Sequence, residues 1–242
     1  MENTGYIALS RQMTLRREMD VIANNMANLN TPAYKGQSML FVEYLDTSDS
    51  GEKMSFVQDV ALVRNLTEGQ LTSTGNPLDM AIAGDAYFEV ETPLGPRYTR
   101  NGVFQLNAEG QIVTSTGEIV LGDGGNAIIL PPSSSDITIT RDGTVSTDQG
   151  PAGRLRLVRF EDEQTLVKQA NGLYDAGGQA PLPAEDAEVL QGMVEGSNVQ
   201  GIIELTKMIE TVRHYASTGR MVNDEHERQR RAIQALGGSV QA

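Results

Sequence analysis

Two helical patterns sit at the ends of this 242-residue chain, and the stretch between them reads as β structure. Ala8, Leu15, Met19, Ile22, Met26 and Leu29 recur at three-four spacing, with Gln12 the one polar member of the series. Leu205, Met208, Val212, Tyr215, Gly219, Val222, Ile233 and Leu236 repeat the pattern at the other end, interrupted by His226 and Gln229. Such spacing gives a narrow apolar seam along one side of a helix. A helix from about Gly5 to Asn28 would be roughly 36 Å long, and one from about Gln200 to Ala235 at least as long. Seams of that length outrun what a single copy can bury. The ends are therefore expected to lie side by side and to dock on other copies or relatives of the chain.

The first helix stops firmly. Asn24, Asn25, Asn28 and Asn30 fall within seven residues, where carboxamides compete with helical hydrogen bonds, and Pro32 pushes Thr31 out of the helical region. Asn24, Asn25 and Asn28 are expected to satisfy backbone groups at the bend. Ser197 or Asn198 is placed to cap the second helix, whose late turns carry Arg228, Arg230 and Arg231, where cations suit a helix C-terminus.

Between the ends, residues 34–68 predict an extended connector with a short strand near Phe56–Val63. From Gly69 onward, turn signals recur every 8–12 residues: Gly75-Asn76-Pro77, Gly84-Asp85, Asn101-Gly102, Glu109-Gly110 and Gly122–Asn126. Short alternating runs such as Leu78–Ile82 and Tyr87–Glu91 lie between them, which argues an all-β sandwich or irregular barrel. The expected fold is thus mixed α and β. Its N- and C-terminal helices pair as a coiled-coil-like terminal domain (residues 1–32 and 200–242), followed by an extended connector (33–68) and an irregular all-β central domain (69–199).

The formal charge of −13 is unevenly placed. Residues 46–198 carry 23 Asp/Glu against nine Lys/Arg, whereas the two ends are close to neutral. Near-neutral helices can approach other helices, and an acidic middle repels phosphate backbones. Nucleic acid is excluded as a partner. Trp is absent and aromatics are 5%, which is thin for a groove that stacks sugars or bases. No 18-residue apolar run and no secretory signal pattern are present, so the chain is not expected to span a membrane or to lose a cleaved leader. The absence of Cys is compatible with an oxidising compartment.

Chemistry finds little foothold. The only histidines, His214 and His226, stand about 18 Å apart on one helix, too far to share a metal. No nucleophile elbow or zinc-protease motif occurs. Gly122–Ala127 superficially fits a dinucleotide loop but leads into a strand ending at Pro131-Pro132, not into a helix. Glu161-Asp162-Glu163 reads as a solvated acidic turn. No catalytic, cofactor or metal site is expected.

Three blocks carry a family resemblance. Asp20–Lys35 contains Ala23-Asn24-Asn25-Met26-Ala27-Asn28 followed by Thr31-Pro32-Ala33-Tyr34-Lys35. Gly69–Ile82, Gly84–Phe88 and Tyr98-Thr99-Arg100-Asn101-Gly102 form the second, and Glu195-Gly196-Ser197-Asn198-Val199 with Met208–Thr211, Arg213 and Tyr215 the third. In this order they resemble the signatures of the rod, hook and hook-associated proteins of the bacterial flagellum. One departure is Val212-Arg213-His214-Tyr215-Ala216, where that family commonly reads Gln-Arg-Ala-Tyr-Glu. The resemblance implies a structural subunit, not an enzyme, and no cofactor. It also implies passage through the flagellar export apparatus without signal cleavage and assembly with copies of itself and related rod proteins in the periplasmic rod. Length and the opening residues Met1–Gln12 are most similar to proximal rod subunits, with a distal rod or hook-type protein as the alternative. A secreted β-rich binding or hydrolytic protein is the reading of a different class. The expected assembly interface is Ala8, Leu15, Met19, Ile22, Asn24, Asn25, Met26, Asn28 and Leu29 on the first helix and Leu205, Met208, Val212 and Tyr215 on the second.

Overall fold

The computed structural model describes residues 2–47, 53–131 and 136–237. It is a mixed α and β structure with a helix at each end and a β-rich middle. The chain divides into two compact units, one of Met1–Ala27, Gly36–Asn65 and Val199–Ala242, the other of Asn28–Lys35 and Leu66–Asn198.

The first unit holds helix α1 (Glu2–Ala27), strands β1 (Gln37–Thr47) and β2 (Lys53–Arg64), and helix α2 (Gly201–Gly237). The expected connector is not extended chain. Residues 37–64 form a long antiparallel hairpin, registered from Gln37 opposite Arg64 to Thr47 opposite Lys53, with a bulge between Leu40 and Phe41. The Asn65 N–H donates to Gly36 O at 2.7 Å and closes its base. The reason is compositional: two runs rich in β-branched and aromatic residues flank a polar patch, so each run is the other's natural partner. Both strands pack on α1, which also packs on α2.

The second unit is built from short strands. A nine-stranded sheet combines β5 (Tyr87–Thr92), β6 (Gly95–Thr99), β7 (Phe104–Leu106), β8 (Ile112–Thr114), β9 (Ile119–Val120), β13 (Leu157–Arg159), β14 (Val167–Lys168), β15 (Leu173–Asp175) and β16 (Leu182–Pro183). A three-stranded sheet, β10 (Ile137–Ile139), β11 (Thr144–Thr147) and β12 (Gly150–Arg154), stands separately. Two pairs complete the unit: β3 (Leu71–Ser73) with β18 (Met193–Glu195), and β4 (Met80–Ala83) with β17 (Glu188–Gln191).

Strand β5 shows how period-two sequence becomes core. Phe88 and Val90 point into one apolar cluster with Met80, Ile82, Ile112 and Val145. Tyr87 points the other way, into a second cluster with Tyr98, Phe160 and Tyr174. Both faces are buried, so Glu89, between Phe88 and Val90, is buried as well and is paired with Arg156 at 3.1 Å. The acidic turn is not wholly solvated either. Glu163 Oε2 accepts a hydrogen bond from the buried Tyr87 hydroxyl at 2.8 Å, and Asp162 caps a short 3-10 turn. The Gly122–Asn126 loop is a tight turn closed by a hydrogen bond from Gly122 N to Asn126 O.

The backbone of Met80 runs directly against Gly102: a Cβ there would lie 1.5 Å from Met80 O, while Met80 N donates to Gly102 O at 2.9 Å. No side-chain rearrangement relieves a clash with main chain. Gly102→Ala is therefore expected to cost about 3 kcal/mol or more, lowering the thermal midpoint of the β-rich unit by roughly 6 °C or more at this chain length. Thermal circular dichroism checks it, and an unchanged midpoint would show that the two strands can slide apart at little cost.

Candidate functional site

Among the described residues no group of three His, Cys, Asp or Glu is placed to hold a metal; what they offer is exposed helix faces and polar contacts within each unit.

Within the first unit α1 and α2 run antiparallel, since Asn25 meets Glu204 while Gln12 lies beside Gly219. On α1, Ala8, Leu15 and Ile22 are buried at seven-residue intervals, and Gln12, Met19 and Met26 are half-buried between them. The expected α1 seam is thus covered inside its own unit, by the hairpin and α2, rather than left for a partner. The α2 seam splits into two faces. The inward face is polar: Glu204, Thr211 and Thr218 are buried, with Met208 and Val222 half-buried. The threonine hydroxyls satisfy themselves on their own helix, Thr211 donating to Lys207 O at 2.8 Å and Thr218 to His214 O at 2.9 Å. Gly219, a weak point by helix propensity, gives Gln12 room: a Cβ there would lie 3.1 Å from Gln12 Nε2.

The outward face of α2 is the apolar one. Ile202, Leu205, Ile209 and Val212 are 84%, 50%, 45% and 46% exposed, and Ala216 continues the three-four series in the open. Tyr215 is at the edge of exposure. The expected residues Leu205 and Val212 therefore lie on this face, and Met208 on the other. Both histidines are exposed on α2.

Asn25 ties α1 to both β1 and α2. Its Nδ2 donates to Gln37 O at 2.7 Å and to Glu204 Oε2 at 3.0 Å, and its Oδ1 accepts from Gln37 N at 3.0 Å. A buried amide in a helix seam fixes register because any slip leaves it unsatisfied. Glu204 is held in turn by Lys207 at 2.7 Å. Farther along, burial raises the Glu18 carboxyl above its ordinary range, while His214 and Lys207 pull it down. The other asparagines act differently: Asn28 Oδ1 accepts from Thr31 Oγ1 at 3.0 Å, and Asn24 is exposed. Leu29 is half-buried. Asn198, one of the two residues expected to cap α2, donates from Nδ2 to Thr67 O at 2.8 Å.

The second unit contains a charge cluster that the sequence did not announce. Glu195 is 1% exposed, and each of its carboxylate oxygens is engaged. Oε1 accepts from Lys35 Nζ at 2.7 Å and from Gly69 N at 2.8 Å, and Oε2 accepts from Arg100 Nε at 3.1 Å. Lys35 also donates to Thr67 O at 2.9 Å. Arg100 donates to Gly84 O and Ala86 O and lies 3.5 Å from Glu68. Two cations thus face two carboxylates. The Glu195 backbone takes part as well, its carbonyl accepting from Ala33 N at 2.8 Å. Ala33 sits in the left-handed region at φ 54°, a conformation that costs about 1–2 kcal/mol for a residue with a Cβ and is held here by its surroundings. Gly69 passes so close to Gly196 that a Cβ would lie 1.9 Å from Gly196 O. The three sequence blocks singled out above, remote from one another along the chain, meet at this one carboxylate.

Burial pushes the Glu195 carboxyl up, but Arg100, the Gly69 amide and Lys35 outweigh it and hold it below the ordinary value of 4.5. Burial and the neighbouring Arg100 lower the Lys35 ammonium, against the pull of Glu195. A carboxylate whose folded value is depressed contributes stability that is fully present above its unfolded value and lost as pH falls through the folded one. Lys35→Met removes one of the groups that depress Glu195, so acid unfolding should begin at a higher pH than in the unaltered chain. Circular dichroism followed from pH 7 to 2 reads this, and coincident acid limbs would count against it.

Comparison with known proteins agrees with the order of the three blocks. Residues 6–35 match the family model described as flagella basal body rod protein, residues 81–147 that of the flagellar hook protein FlgE/F/G D1 domain, and residues 190–235 that of the flagellar basal body rod FlgEFG protein C-terminal region. The chain is 43% identical to the flagellar basal-body rod protein FlgF of Caulobacter vibrioides over 98% of its own length and 99% of the relative's. It is 33% identical to FlgF of Mesorhizobium japonicum, over 98% and 99% of the two chains. It is 31% identical to the rod protein FlgG of Agrobacterium fabrum, over 91% and 94%.

Proposed function

The chain belongs to the FlgF group of flagellar basal-body rod proteins, structural subunits of the rod, and we propose that it enters the rod through the outward face of α2. The observation that carries this reading is the exposed series Ile202, Leu205, Ile209, Val212 and Ala216. It has the spacing of a helix seam and none of the described residues of its own unit covers it. Burying a large aliphatic side chain contributes about 1.5–3 kcal/mol, so Ile202, which is almost wholly exposed, and three that are about half-exposed can supply several kcal/mol at each docked neighbour before ordering costs.

In this reading α1 and α2 form a coiled-coil-like pair held by Asn25 and Glu204. Neighbouring rod subunits, copies or relatives, lay their own helices on the outward face, α1 offering Leu9 and Met13 at 52% and 54% exposure. The helices supply the docking surfaces, and the β-rich unit carries most of the excess carboxylates. Export proceeds through the flagellar apparatus, and the proximal rod is the position favoured by the similarity to FlgF. Similarity to FlgG supports a second reading, a distal-rod position, for which the same helix chemistry would serve.

Leu205→Asp combined with Val212→Asp tests the face. Both side chains are exposed, so the purified variant should keep its melting behaviour to within about 0.5 kcal/mol. Incorporation into basal bodies, read by immunoblot of isolated hook–basal bodies, and swimming in soft agar should both be lost. Normal incorporation would show that the seam is not the docking surface.

A further inference from the structure

We infer that Glu195 is a positioning residue for assembly: one buried carboxylate staples together the two places where the chain leaves the β-rich unit. The inference rests on the helix-docking reading above.

The chain enters this unit between residues 27 and 28 and between 65 and 66, and leaves it between 35 and 36 and between 198 and 199. Both exits, and the entry after the hairpin, are tied to the same cluster. Ala33 N donates to Glu195 O, and Lys35 Nζ donates to Glu195 Oε1. At the return of the hairpin, Thr67 O accepts from both Lys35 and Asn198, and Gly69 N donates to Glu195. At the exit, Asn198 N donates to Tyr34 O at 3.2 Å, and Gly196 N to Gln70 O at 2.9 Å. Arg100, on the loop after β6, anchors the carboxylate from the interior side. The segment 28–35 is therefore not a tether. It is an eight-residue arm seated in the β-rich unit, and the anion that seats it is the residue that begins the exit toward α2.

This arrangement is more than a stable core contact. Neither apolar cluster includes Lys35 or Glu195; Arg100 is the one member that borders them, over the Tyr87 ring at 5.8 Å and bonded to Ala86 O. Replacing Glu195 by Gln keeps the shape but turns one acceptor oxygen into a donor facing Lys35 and Gly69 or facing Arg100. The cores can survive while the crossings lose their common anchor.

The test compares full-length Glu195→Gln with Val189→Ala, a core variant in the same unit. Temperature is chosen so that both are equally far below their melting points. The protein has no cysteine, so Asn30→Cys and Thr72→Cys, at exposed positions on the arm and on the strand paired with β18, accept spin labels without competition. The expected result is a narrow inter-label distance distribution in the parent and in Val189→Ala, and one broadened about twofold or more in Glu195→Gln. Incorporation into basal bodies should fall roughly tenfold or more for Glu195→Gln alone. Equal distributions, or equal incorporation by the two variants at matched stability, would reduce Glu195 to an ordinary stabilising contact and overturn the inference. If Glu195→Gln yields no folded protein, Lys35→Met carries the same comparison, since it leaves the Arg100–Glu195 pair intact and frees the arm. Normal incorporation of Glu195→Gln beside failure of the Leu205/Val212 variant sinks this inference alone. Normal incorporation of the latter sinks the docking reading instead.

Discussion

The Glu195 cluster is the constraint on which the β-rich unit depends at its base. Burying a charge costs several kcal/mol even after relaxation, and that cost is recovered only when geometry is good and every lone pair is used. Here the carboxylate accepts three hydrogen bonds, and its two cations find further acceptors in the carbonyls of Thr67, Gly84 and Ala86. Removing Glu195 would leave two buried cations facing each other, so the carboxylate is what draws segments 33–35, 67–69 and 100 together. An apolar patch of the same size could slide; this one cannot.

A similar logic governs the helical unit, with an amide in place of a carboxylate. The inward face of α2 is mostly threonine and glutamate, and its hydroxyls are satisfied within the helix. Little apolar area therefore holds α2 to α1. What fixes their register is Asn25, bridging the hairpin backbone and Glu204. Having spent polar residues on the inside, the helix turns its larger aliphatics outward, a reversal of the usual amphipathic arrangement. The reversal makes sense when the outside of the free chain is the inside of something larger.

Part of this was legible in the sequence. The terminal helices and the turn-punctuated β middle follow from periodicity alone, because 3.6- and 2-residue repeats over long windows survive tertiary context. The hairpin over 37–64 was not, because its turn lies in a broad polar patch instead of a two-residue Gly or Asn signal. The phase of α2 was also hidden. Leu205, Met208, Val212 and Tyr215 fit one seam by spacing, yet the structure places Met208 inward and Leu205 and Val212 outward, a choice made by Asn25 and Gln12 on the partner helix. Lys35, Arg100 and Glu195 were visible only as members of three separate motifs. Nothing local marks a pairing across 160 residues, and charged residues are read as surface by default.

Charge placement bears on how a chain with an outward apolar seam meets its own copies. The excess of carboxylates lies in residues 46–198, while the ends are near neutral. At physiological ionic strength such repulsion is screened beyond about 8 Å, so it does not act at long range. It acts when two copies come close enough for their acidic units to touch in arbitrary orientations, and there it disfavours most encounters. Orientations that bring helix to helix escape the penalty, because neither seam carries the excess. On the docking proposed above, the same distribution would favour the geometry in which α2 buries its aliphatic face. The Glu195 cluster would serve that selection by holding the arm and the exit strand of the acidic unit in one fixed relation.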